Sequence, residues 1–154
     1  MKIESLRPGT SQEISCLACG IGDARNLLKA ILCVEIYQSY GLSSGVRSQV
    51  DLHFTLVDLK PAVFARILIV FRLLFDADAE SKAGKAQIYM TLSYIYTAQV
   101  VPKWAFDKLQ GCISTILADL ADSSHNVMSI FYIAEPTRER ISYVLRQWQQ
   151  TPQP

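Results

Sequence analysis

Apolar and polar positions follow two different rhythms along this chain, and the changes of rhythm mark out its elements. From Glu13 to Cys19 the apolar residues Ile14, Cys16 and Leu17 form a short run that stops at a glycine, which predicts a short buried strand. A turn follows over Gly20-Ile21-Gly22-Asp23. Asp23 suits the start of a helix, because its carboxylate can accept a bond from an orphan backbone N–H. Leu27, Leu28, Ile31 and Leu32 recur at helical spacing and predict a helix from Ala24 to about Tyr40, closed by a Gly/Ser-rich loop over Gly41–Ser48. Val50, Leu52, Phe54 and Leu56 then alternate with Asp51, His53 and Thr55 until Val57 breaks the pattern. That predicts a strand over Val50–Asp58, covered on both faces towards its end.

The rest of the chain reads as helical. Pro61 stands where a first helical residue needs no N–H. Val63, Phe64, Ile67–Val70, Phe71, Leu73 and Leu74 leave almost no polar face, so this helix is expected to be buried. Asp76–Gly84 is polar and small and predicts a loop. Helices follow over Gln87–Val101, with Ile88, Leu92 and Ile95 on one face, and over Lys103–Ala121, with Phe106, Leu109, Ile113, Ile116, Leu117 and Leu120. After a loop at Asp122–Asn126, the run Val127–Ile133 fits either a strand or an apolar connector. Glu135-Pro136-Thr137 opens a last helix with Ile141, Val144, Leu145 and Trp148 on one stripe. One domain over residues 13–150 is the expected organisation, with an irregular lead-in over 1–12 and a loose tail over 151–154. A right-handed crossover from the first strand through the long helix to the second would give a β-α-β unit of two or three strands, covered by the C-terminal helices.

Composition narrows the function classes. Half of the 154 residues are hydrophobic, enough for a core and against disorder. With 15 basic and 14 acidic residues the formal charge is +1, and no basic stripe stands out, so no nucleic-acid partner is expected. The most apolar stretch, Pro61–Phe75, is interrupted by Arg66 and Arg72 and falls short of a membrane span, so no membrane partner is expected. The N-terminus lacks the apolar run of a secretory signal, which makes the cytoplasm the default location. Of the four cysteines, Cys16 and Cys19 have CxxC spacing. With no second pair, and with His53 and His125 far apart, free thiols are expected rather than a metal site.

The chemistry-bearing constellation is the strand end at Gly20, Gly22, Asp23 and Arg25, together with Asp58 at the end of the second strand. Glycines there let a ligand approach the backbone, a helix N-terminus offers N–H groups, and an acid at the next strand end can accept both hydroxyls of a ribose. The same residues also fit a purely structural turn. Asp23 is then a helix cap, and Arg25 locks the loop by pairing with Asp23 or Asp58. Tyr89, Tyr94, Tyr96, Trp104, Phe131, Tyr132 and Trp148 are first of all core and cover, and become a protein-binding surface if several stand exposed together.

Two resemblances attach to these residues. Ile14–Asp23 resembles the first motif of class I methyltransferases that use S-adenosylmethionine, with Gly20 and Gly22 as its last two glycines. Cys16 stands where its acid belongs, and Ala18 where its first glycine belongs. Phe54–Pro61 resembles the second motif, with Asp58 as the ribose-binding acid. A closer resemblance rests on Gly22, Asp23, Arg25 and Asn26 in the first run and on Asp58, Pro61, Ala65 and Arg66 in the second. It is similar to a fungal domain of unknown function that often precedes MYND-type zinc fingers and is related to the N-terminal region of a dynein axonemal assembly factor. These resemblances imply a Rossmann-like, methyltransferase-like scaffold. Beyond the second strand no catalytic acid, base or nucleophile stands out, so no catalytic residue is assigned. The leading expectation is a non-catalytic adaptor domain acting through protein contacts, with no cofactor. The alternative is a nucleoside-binding domain for S-adenosylmethionine, using Gly20, Gly22, Asp23, Arg25 and Asp58, with weak or partner-dependent methyl transfer.

Overall fold

The computed structural model describes residues 12–43, 50–97, 100–122 and 126–150. Almost all of the predicted lead-in, the larger part of the predicted Gly/Ser loop, His125 and the tail lie outside the described residues. The chain divides into two compact units, Met1–Leu59 and Lys60–Pro154.

The first unit holds β1 (Gln12–Cys19), α1 (Arg25–Ser43) and β2 (Val50–Val57). The strands pair in parallel over eight residues without a bulge, from Gln12↔Val50 to Cys19↔Val57. A parallel pair needs a long crossover, and α1 supplies it. The helix runs three residues beyond Tyr40, through Gly41. A single glycine costs only about 1 kcal/mol relative to alanine, too little to stop a helix by itself.

Neither strand is buried as its sequence suggests. Side chains alternate between two faces. On one face Cys16, Ala18, Leu52, Phe54 and Leu56 are half-buried. On the other, Ser15, Leu17, Cys19, His53, Thr55 and Val57 are all exposed. Leu17 keeps 68% and Val57 47% of its surface in solvent. The expected buried β1, and a β2 covered on both faces at its end, are therefore both corrected. The alternation of burial continues unbroken through Val57, an apolar residue at an exposed position. Cys16 and Cys19 leave the strand on opposite faces, roughly 10 Å apart along it, so the CxxC spacing does not make a chelating pair.

The second unit is helical: α2 (Pro61–Asp78), α3 (Lys82–Thr97), α4 (Lys103–Ala121) and α5 (Glu135–Gln150), with a hairpin of β3 (Asn126–Val127) and β4 (Phe131–Tyr132) between the last two. The predicted loop over Asp76–Gly84 shrinks to a connector around Ser81. Ser81 Oγ accepts the Gly84 N–H at 3.2 Å and caps α3. The buried cluster draws on α2 (Ala65, Leu68, Ile69, Leu73, Ala77), α3 (Ile88), α4 (Cys112, Ile113, Ile116, Leu120), Val127 of the hairpin, and α5 (Ile141, Leu145). It contains no residue of β1 or β2. Each fully buried aliphatic side chain contributes about 1.5–3 kcal/mol, so the hydrophobic stabilisation resides mainly in these helices.

The run Val127–Ile133, left open between strand and connector, is a tight hairpin. Met128 and Ser129 have φ of 54° and 60°, and the Ile130 N–H reaches the Val127 carbonyl at 3.3 Å. These are type I′ angles, normally the province of Asn and Gly, which is why the sequence hid the turn. Phe131 meets the edge of Phe71 with ring centres 5.2 Å apart.

Arg138, in the first turn of α5, is 4% exposed. Its guanidinium donates to the carbonyls of Leu120, in the last turn of α4, and of Asp122, the residue that caps that helix. Glu135 Oε2 lies 3.6 Å from the same group. Among the described residues no helix is long and apolar enough to cross a membrane.

Candidate functional site

Parallel pairing puts the carboxyl ends of β1 and β2 side by side, so the glycine turn and Asp58 emerge at the same end of the sheet. Gly20 continues the ladder by one bond, its N–H donating to the Val57 carbonyl at 2.8 Å. Gly20 and Gly22 have φ of 62° and 66°. A Cβ at either would meet nothing within 4 Å, so glycine is required there by backbone conformation and not by crowding.

The loop is closed largely by its own polar groups. The Gly22 N–H donates to Asp58 Oδ2 at 3.3 Å. Asp23 Oδ1 accepts the Arg25 N–H at 2.8 Å, capping α1 as its sequence position suggests. Arg25 Nε donates to Asp23 Oδ2 at 2.7 Å, and its Nη2 lies 2.5 Å from the same oxygen. Of the two partners the sequence left open for Arg25, this pairing is with Asp23. The Asp23 carboxylate is 14% exposed and the Arg25 side chain 74% exposed.

The structure thus joins Gly22 to Asp58 and Asp23 to Arg25. A phosphate is poorly matched to this end of the sheet. Two carboxylates converge there, one N–H of the turn faces Asp58, and the helix N-terminus is capped by Asp23. Neutral hydroxyl groups suit it better, since carboxylates accept from them.

The larger feature is the exposed sheet face, which sequence reasoning missed. Parallel sheets occur almost only with both faces covered. Leu17 and Val57 stand open on it, and Leu59, just past β2, is 95% exposed. Glu13 and Asp51 occupy its amino-terminal end, where His53 Nε2 lies 3.8 Å from Glu13 Oε1. The available signal was the strict alternation of Ser15, Leu17 and Cys19 against Ile14, Cys16 and Ala18. Both sets contain apolar residues, so periodicity alone did not decide which face was outward.

Among the aromatic residues set out as cover, Tyr89, Trp104 and Tyr132 are exposed, as is Tyr143, on four different elements of the helical unit. Tyr94, Tyr96, Phe131 and Trp148 are half-buried, and Tyr94 lies edge-on to Trp104 at 6.1 Å.

A parallel strand–glycine turn–helix–strand unit and a helical unit in one chain define a mixed α/β protein. The chain belongs to the family described as domain of unknown function DUF4470, whose model matches residues 2–97. That match takes in the whole β1–α1–β2 unit with α2 and α3, and it ends at the last residue of α3. The chain matches none of the curated proteins and none of the solved structures.

Proposed function

We propose that this protein is a non-catalytic adaptor whose β1–β2 sheet offers its outward face to a protein partner. One observation carries the reading: a parallel strand pair, the kind of sheet that is almost always covered on both sides, leaves Leu17 and Val57 in solvent. The self-bonded glycine turn is in keeping with it, because Asp23, Arg25 and Asp58 hold one another's loop in place. The finer kinship belongs to this proposal as well: fungal domains preceding MYND-type fingers, a dynein axonemal assembly factor, a Rossmann-like ancestry and a cytoplasmic setting.

The test is a photo-crosslinking residue placed in turn at Leu17, Val57 and Tyr143 of the full chain in its native cells. The adaptor reading expects one common partner to be captured from positions 17 and 57 and not from 143. Capture of the same proteins from all three positions, or from none, would overturn it.

A second reading is favoured by the placement of Gly22 against Asp58 at the carboxyl end of a parallel pair, the usual ligand crevice of such sheets. In it the turn binds the ribose of a nucleoside such as S-adenosylmethionine, and Gly20, Gly22, Asp23, Arg25 and Asp58 form the site. Calorimetric titration with S-adenosylmethionine and S-adenosylhomocysteine decides it. Saturable binding that Asp58→Ala abolishes supports a nucleoside site, and absence of heat at millimolar ligand removes it.

A further inference from the structure

We draw no further inference here: the strongest candidate, the cleft along α4 and α5 lined by Leu120, Asp122, Glu135, Arg138, Glu139 and Arg146, carries nothing beyond stability, because its buried guanidinium is engaged in capping α4 and the mixed-charge rim that remains does not by itself identify a ligand.

Discussion

Arg138 offers a sharp test of how the helical unit holds together. The residue is 4% exposed, and its guanidinium bonds to the carbonyls of Leu120 in the last turn of α4 and of its C-cap residue Asp122. A hydrogen bond from a charged donor contributes about 1.5–3 kcal/mol. A cation at a helix C-terminus adds up to about 2 kcal/mol when partly buried. These contributions overlap, and each carbonyl that loses its donor forfeits about 1–3 kcal/mol, so removing the guanidinium is expected to cost roughly 2–5 kcal/mol. Arg138→Met is the informative change. It keeps most of the stem's volume, introduces no buried charge, and removes the guanidinium donors from the two carbonyls. Arg138→Lys keeps the charge but replaces a planar fork with a single ammonium, so an intermediate loss is expected. The assay is urea unfolding followed by far-UV circular dichroism, with thermal melts alongside. At about 4–8 °C per kcal/mol for a domain of 60–100 residues, the Met variant should melt roughly 10 °C or more below the parent. A loss under about 0.5 kcal/mol, the level of an ordinary surface substitution, would refute the capping argument.

Three further outcomes follow from backbone and burial. Ser129 is exposed at φ 60°, so Ser129→Gly should stabilise the hairpin by about 0.5 kcal/mol in urea melts, and a loss would contradict the turn geometry. Gly22→Ala meets no atom yet must hold φ 66°. It should therefore weaken the β1–α1–β2 unit by about 1 kcal/mol, read as faster amide hydrogen exchange in α1, and unchanged exchange would contradict it. Burial, aided by Asp76 and opposed by Arg72, pushes the Cys112 thiol from an ordinary value near 9 up to about 12. The folded state holds that thiol neutral while the unfolded chain ionises it. Its contribution is therefore complete below pH 9 and is lost between pH 9 and about 12, at up to ~1.4 kcal/mol per pH unit. Cys112→Ala should show a shallower alkaline decline in stability, and an identical decline would contradict the assignment.

Periodicity was a good guide on α4 and α5 and a poorer one on α1, where Leu27 is buried but Leu32 is 58% exposed. Ile113, Ile116 and Leu120 on α4, and Ile141 and Leu145 on α5, are buried as their spacing predicts. The middle of α2, Ile67–Val70, is buried as expected, whereas Phe64, Phe71 and Leu74 are half-buried and Phe75 is exposed; Pro61 is its first residue. The glycine turn and Asp58 lie at one sheet end, as their order in two consecutive strands implies once pairing is parallel. Three features were illegible for physical reasons. Leu17 and Val57 look like core residues because an apolar side chain carries no mark of which sheet face it occupies. Met128-Ser129 adopts a turn that its residue types disfavour. Arg138 looks like any surface arginine, since its role depends on carbonyls 16 and 18 residues earlier in the chain.

The most direct measurement is the stability of Leu17→Asp in the full chain without any partner, taken from urea unfolding and from hydrogen exchange across β1 and β2. A sheet face open to solvent predicts a change within about 0.5 kcal/mol and intact protection of the strands, since a carboxylate there stays hydrated. A loss near 3 kcal/mol, the size expected when a charge replaces a buried leucine, would mean that the chain already covers this face itself, and the docking surface would not exist.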